Sequence, residues 1–473
     1  MMTSKKILVQ ILNKSGPIPN ICSIIAHSPD IVLFIIMNNG RDELTEKFDE
    51  NLKRIEHWNV SNLPTFFGFD ENYELKHPPA NGIGVEIQSV NLDNLVNESV
   101  LIEDKLRAIS ENISSCEIIF DVSSGRKEDV ANFTRMKFSP EINPSIWYTD
   151  SNTGESVEIG GENKQINGKA LDQITSFWLE GFPVIDSVKI YKKSEMNLQL
   201  VTDFLDCLEQ IARKELEPID KISALESILK TKGIEMEHLD VQDCFLLEDN
   251  QFRIHYSDNP GGDFVISANL FSRESGIWLE QIAAIAALSK WDVDRAYVGL
   301  LLVSSNHQKR MEWIKQKLGY ERQKIGVIWG KMMALGLITN EFSDISQILK
   351  YPRFFLDYIS DQWMNLTPEL QAMLLTQAAE RELDVLAEGI NDTLFVECGL
   401  TPNETTVPIK TSQIASLVHS TSLRGYNLSF YCHSNLDFSM GRTGSRIFVC
   451  SWAQLRNKSG LLELDVQPVF YSD

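Results

Sequence analysis

The chain opens with a compact apolar run, Ile7-Leu8-Val9-Gln10-Ile11-Leu12, that stops at the polar turn Asn13-Lys14-Ser15-Gly16-Pro17. A helix-like stretch around Ile21 to Ala26 follows, and Ser28-Pro29-Asp30 then introduces a second run, Ile31 to Ile36, with no polar residue in it. Glu46 to His57 places apolar residues at helical spacing among charges. Gly84 to Val90 reads as a strand, Leu101 to Ile113 as a helix, and Glu117 to Val122 as a further buried strand. Continuously apolar strands separated by helices indicate a parallel sheet covered on both faces. Residues 1–150 therefore predict a doubly wound α/β domain, whose ligands belong at the carboxyl ends of its strands.

The pattern then changes. Residues 151–190 are rich in Gly, Asn and Ser around Gly154, Gly160, Gly161 and Gly168, and Leu198 to Lys232 has helical periodicity, so 151–240 reads as a hairpin and helical linker. Short strands return at Cys244 to Leu247, Phe252 to Tyr256 and Phe264 to Ile266, with Asp258 to Asp263 supplying turn chemistry. An apolar helix from Ile277 to Leu288 and a strand from Ala296 to Val303 come next. Leu366 to Ala379 predicts a helix, Val385-Leu386 and Leu394 to Val396 predict a hairpin around Gly389 to Asp392, and Thr411 to Ser420 predicts another helix. Residues 241–473 are read as a second domain of strands and helices, with a helical segment at about 305–370.

Composition narrows the function. There are 44 Lys and Arg against 66 Asp and Glu, a net charge of −22, which argues against a general nucleic-acid coat. Lys309 to Lys331 is a local exception, with seven basic residues against Glu312 and Glu321 and with Trp313, Tyr320 and Trp329 interleaved. Such a segment suits single-stranded nucleic acid; the favoured reading is an amphipathic subdomain whose aromatics are core. The seven cysteines are scattered without a CxxC pair, so neither a disulfide framework nor a zinc cage is expected. No run of ~18 apolar residues predicts a spanning helix. Met1 to Val9 reads as a first strand rather than a signal peptide, and the expected location is the cytoplasm, away from membranes.

Two places carry candidate chemistry. Ser123-Ser124-Gly125-Arg126-Lys127 follows a buried strand and opens a helix, where small residues, hydroxyls and cations suit a phosphate; the alternative is an ordinary βα turn. Asn13, Lys14 and Ser15 would lie on the same sheet edge. The second place is the predicted hairpin. If its strands pair, Asp384 and Glu397 meet at one end, and two hard carboxylates held so can bind Mg²⁺ or Mn²⁺. The alternative is an exposed hairpin with solvated acids.

The first strand and its Asn13-Lys14-Ser15 loop, Pro19-Asn20, the Ser28 to Leu33 strand entry and the Ser123 to Lys127 loop together resemble a CARF domain, the Rossmann-like sensor of CRISPR-associated proteins. Gly276-Ile277-Trp278-Leu279-Glu280, the Glu382 to Leu386 run and Val396-Glu397-Cys398 resemble the PD-(D/E)xK, restriction-endonuclease-like domain attached to CARF sensors in one group of CRISPR ancillary effectors. The resemblance implies a homodimer that binds a cyclic oligoadenylate, most often the tetra-adenylate, through Asn13, Lys14, Ser15 and Ser123, Ser124, Gly125, Arg126 and Lys127. It further implies a nuclease acting on RNA or DNA in antiviral defence, with Glu280, Asp384 and Glu397 holding Mg²⁺ or Mn²⁺. Gly399 stands where that family carries its catalytic lysine, and Lys410, at the start of the next predicted helix, is the candidate replacement. The alternative reading is a sensor or scaffold whose nuclease domain has lost its chemistry.

Overall fold

The computed structural model describes residues 5–13, 16–37, 42–60, 84–93, 99–110, 113–124, 127–133, 135–151, 153–161, 164–168, 171–179, 184–186, 189–240, 250–272, 276–304, 307–319, 322–367, 370–371, 374, 381–389, 391–400, 406–420, 427–437, 440–443 and 447–463. They fall into two compact units, 1–183 and 184–473.

The first unit is built on seven strands, β1 (Lys6–Ile11), β2 (Ile31–Met37), β3 (Glu86–Leu92), β4 (Glu117–Asp121), β5 (Ser145–Thr149), β6 (Ser156–Glu158) and β7 (Gln165–Ile166). They lie in the order β3-β2-β1-β4-β5-β6-β7, parallel as far as β5 and antiparallel beyond it. β2 is buried at every position, as its unbroken apolar run requires of a strand with neighbours on both edges and cover on both faces. Ile7, Val9, Ile11, Leu33 and Ile35 pack with Ile102 and Leu106 of the helix Ser99–Ile109. The strand order reverses between β1 and β4, so the loops after these two adjacent strands share one edge, where a doubly wound sheet opens a crevice.

The second unit carries β8 (Val184–Asp186), β9 (Lys189–Lys192), β10 (Ile234–Asp240), β11 (Asn250–Tyr256), β12 (Asn259–Ser267), β13 (Arg295–Leu302), β14 (Arg381–Glu388), β15 (Thr393–Gly399), β16 (Asn427–His433), β17 (Gly441–Thr443) and β18 (Ile447–Ser451). β10, β11 and β12 form a small antiparallel sheet. The main sheet runs β17-β18-β16-β15-β14-β13-β8, with β9 also on β13. Its β13-β14-β15 part is antiparallel, and β15, β16 and β18 are parallel. The helix Ile277–Lys290 is apolar almost all round and is buried accordingly, with Trp278, Leu279, Ile282, Ile285 and Leu288 in the core under the sheet.

Several expectations need adjustment. Residues 151–240, read as a connection, give β6 and β7 to the first sheet and β8 and β9 to the second. The helical stretch expected over Leu198 to Lys232 forms two helices, Leu198–Ala212 and Pro218–Thr231, since Pro218 lacks the N–H a helix interior needs and starts a new helix instead. β12 begins at Asn259 within the expected turn, so the reversal is confined to Ser257 and Asp258. Cys244 to Leu247 and much of Leu366 to Ala379 lie outside the described residues. Between β13 and β14 the inserted segment carries the helices His307–Leu318, Arg322–Ala334, Ile345–Lys350 and Pro352–Asp361. Among the described residues no helix is long and apolar enough to cross a membrane.

Candidate functional site

The hairpin forms in the register the sequence requires. Val385 faces Val396 and Glu388 faces Thr393, which sets Asp384 opposite Glu397. Gly389 at the turn is required, since a Cβ there would lie 2.4 Å from the Asp292 carbonyl oxygen. Val385, Ala387, Leu394, Val396 and Cys398 point into the main core. By strand alternation Asp384 and Glu397 point to the opposite face. Tyr431 of β16 packs there with Val407 and Val449.

The helix Thr406–Ser420 links β15 to its parallel neighbour β16, and it begins earlier than the expected Thr411, so Lys410 sits in its second turn. The Lys410 ammonium donates to Glu397 Oε2 at 2.7 Å and lies 3.5 Å from Asp384 Oδ2. Asp384 Oδ2 also accepts from the backbone N–H of Cys398 at 2.6 Å. Both carboxylates are buried. Glu280, on a mostly apolar helix, and Glu382, two residues before Asp384 on β14, act electrostatically on the same cluster.

Several carboxylates gathered in a poorly hydrated place cannot all stay charged cheaply. Burial, reinforced by Asp384, pushes Glu397 up to about 8. Burial and then the charges of Asp384 and Glu382 push Glu280 up to about 9. Burial also raises Asp384, against the pull of Lys410 and the Cys398 N–H. Burial opposes the Lys410 ammonium, but Asp384 and Glu397 outweigh it and hold the lysine charged. Hard carboxylate oxygens crowded in this way fit a divalent cation such as Mg²⁺ or Mn²⁺, whose charge would displace the protons that burial favours. Among the described residues no three of His, Cys, Asp and Glu already stand in a metal-holding arrangement. Instead the Lys410 ammonium bridges Asp384 and Glu397.

A sign follows for stability. The folded-state values of Glu280 and Glu397 lie above the ordinary 4.5 of an unfolded chain, so their contribution is fully present only below about pH 4.5, falls progressively as pH rises, and is gone above about 8 to 9. Metal-free protein should therefore lose thermal stability between pH 6 and 9. Glu280→Gln should flatten that decline, at ~2–4 °C for each kcal/mol recovered. Melting curves in EDTA across this range provide the check, and parallel declines for both proteins would contradict the coupling.

Gly399 has a local cause that sequence reasoning missed. A Cβ at this position would lie 2.0 Å from the Tyr431 hydroxyl and 2.7 Å from its ring Cζ. Tyr431 is fully buried, and burial raises its phenol so that it stays neutral. The tyrosine thus fills the room that a side chain two residues after Glu397 would need. Gly399→Ala should destabilise the unit by roughly 1–3 kcal/mol by overpacking. Pairing it with Tyr431→Ala should cost less than the two single changes together, and additive urea-denaturation energies would argue against the clash.

In the first unit Asn13 and Ser123 do reach the same sheet edge. Asn13 N donates to Asn20 Oδ1 at 2.9 Å, and Asn20 Nδ2 donates to Ser124 Oγ at 3.0 Å and to Ile11 O at 2.9 Å. Ser124 is buried and gives its proton to Ile11 O, so its hydroxyl ties β1 to β4. Ser123 Oγ accepts from Thr149 N at 2.5 Å. Lys127 is exposed at the start of the helix Lys127–Phe133. Lys14, Ser15, Gly125 and Arg126 lie outside the described residues. Beneath these loops Thr149 Oγ1 donates to Asp121 Oδ2 at 2.6 Å and His27 Nε2 lies 3.0 Å from Ser156 Oγ, a buried network that the sequence did not announce.

No protein-family profile matches the chain, and no curated protein sequence matches it. Among solved structures it is similar to Can2 from Sulfobacillus thermosulfidooxidans in complex with cyclic tetra-adenylate, at 12% identity and TM-score 0.44, covering 96% of this chain and 98% of that one. It is also similar to protein VC1899 from Vibrio cholerae, at 10% identity and TM-score 0.44, covering 97% of each chain. A type III CRISPR defence DNA nuclease activated by cyclic oligoadenylate shows 9% identity and TM-score 0.44, with 94% of this chain covered but 48% of that one.

Proposed function

We propose that this chain is a metal-dependent nuclease of the CARF-effector kind, switched on by a cyclic oligoadenylate and acting on RNA or DNA as a homodimer. The observation that carries the reading is the Lys410 ammonium on Glu397 and Asp384, supplied from the crossover helix although Gly399 stands where the family keeps its lysine. Glu280, Asp384 and Glu397 would hold the divalent cation. When bound, such a cation polarises a phosphoryl oxygen and lowers the pKa of a coordinated water. Lys410 keeps a positive charge at the carboxylate cluster and stabilises negative charge developing on the attacked phosphate. The cyclic ring would be met at the sheet edge by Asn13, Lys14, Ser15 and Ser123 to Lys127, with Ser124 acting through the backbone it fixes. Activation requires the ring to favour the cleaving state over the resting one, since equal affinity for both shifts nothing.

The test is cleavage of labelled single-stranded RNA, single-stranded DNA and supercoiled plasmid in Mg²⁺ or Mn²⁺, with and without cyclic tetra- and hexa-adenylate. Cutting that needs both metal and ring is the expected result. Tight ring binding with no cutting of any substrate would leave a sensor whose second unit has no chemistry.

A further inference from the structure

The aromatics among the lysines of 309–331 mostly serve the helical layer itself. Trp329 is half-buried, and its indole N–H donates to Phe342 O at 2.8 Å. Trp313 is half-buried under the Lys317 ammonium. The exposed rings lie further along. The helix Ile345–Lys350 ends at Tyr351, and Pro352 starts the next helix, so the two meet at a corner with one backbone angle fixed by the proline ring. At that corner Tyr351 is 54% and Phe354 69% exposed, whereas Phe355 and Leu356 beside them are buried. Lys350 and Arg353 are exposed between and beside the rings, with Lys350 Nζ 5.2 Å from the Tyr351 centroid. The helix that follows is braced to the basic helix His307–Leu318 by an ion pair, Lys315 Nζ to Asp357 Oδ1 at 2.6 Å. That same basic helix carries Lys317, whose charge is felt by Glu382 in the carboxylate cluster.

Two large rings open to water on a rigid corner suit an occupant that is flat and apolar, and the cations around them suit one that is anionic. Residues 307–353 carry nine Lys and Arg against four Asp and Glu in a chain of net charge −22. A second copy of this face would bring like charge against like, because a twofold contact presents the same patch from both sides. We infer that the Lys350–Phe354 corner is a stacking platform for single-stranded nucleic acid. The binding does not depend on chemistry, but its role as a substrate grip rests on the nuclease reading above.

The test uses the full chain in EDTA, with and without cyclic tetra-adenylate, and fluorescence anisotropy of labelled 20-nucleotide single strands and of a blunt duplex. Tyr351→Ala and Phe354→Ala should each weaken single-strand binding about tenfold and change duplex binding little. Lys350→Glu with Arg353→Glu should weaken binding to both and lower the salt slope by about two. Unchanged single-strand affinity in both aromatic variants, at an unchanged melting temperature, would overturn the platform, as would no single-strand binding by the wild type. Loss of a dimer in sedimentation without loss of nucleic-acid affinity would make the corner a protein interface instead and equally overturn it. Cleavage in Mg²⁺ or Mn²⁺ separates the two readings. Variants that lose binding in a wild type that never cuts sink the nuclease but keep the platform; cutting unaffected by the variants does the reverse.

Discussion

Asp384→Asn is expected to lower ring-activated, metal-dependent cleavage by at least about a thousandfold while leaving affinity for the cyclic oligoadenylate unchanged. The asparagine carbonyl can still accept from the Cys398 N–H, which Asp384 Oδ2 now does at 2.6 Å, so the hairpin keeps its local order. What disappears is the buried carboxylate charge 3.5 Å from the Lys410 ammonium. Without metal the variant should be more stable than the wild type, because like charges no longer crowd a dry site; with metal it should gain little further stability. Melting temperature with and without Mn²⁺, read beside cleavage, separates this from a folding defect. Wild-type cleavage by the variant would remove the metal assignment.

Lys410→Met should cost about 10²–10³ in cleavage rate while preserving, or strengthening, divalent-cation affinity. The methionine keeps the apolar stem and removes the ammonium that now bridges Glu397 and Asp384. Deprived of that partner, Glu397, already raised to about 8 by burial and Asp384, should hold its proton to still higher pH. The metal-dependent rate should then reach its plateau at more alkaline pH than in the wild type. Single-turnover rates across pH 6 to 10 and Mn²⁺ titration by calorimetry provide the two readings. Full activity would assign the charge-stabilising role elsewhere, and lost metal affinity would make Lys410 structural.

The strand pattern carried most of this architecture. Continuous apolar runs at Ile7 and Ile31 placed the parallel strands β1 and β2, because burial on both faces leaves no room for alternation. Asp384 and Glu397 were legible for the same kind of reason: a short turn fixes hairpin register, and register decides which side chains meet. Lys410 was legible only as a helical residue near the hairpin; its contact depends on the crossover geometry between β15 and β16. Glu382 could have been found from its place two residues before Asp384, on the same face of β14. Tyr431 could not, since it meets Gly399 from a strand more than thirty positions away. Nor could the ties of Asn20 to Ser124 and Ile11, which join loops that only tertiary structure brings together.

β15 and β16 are parallel neighbours in the main sheet. Two parallel strands side by side must be joined by a segment that climbs over one face of the sheet and descends again. Here that segment is the helix Thr406–Ser420, over the face that bears Glu397 and Asp384. A long cationic side chain on the sheet-facing side of its early turns, as Lys410 is, thereby reaches the carboxylates from the crossover rather than from a strand position. On the strand itself Gly399 leaves room for the Tyr431 ring, so a side chain delivered from that position would first require the ring to move.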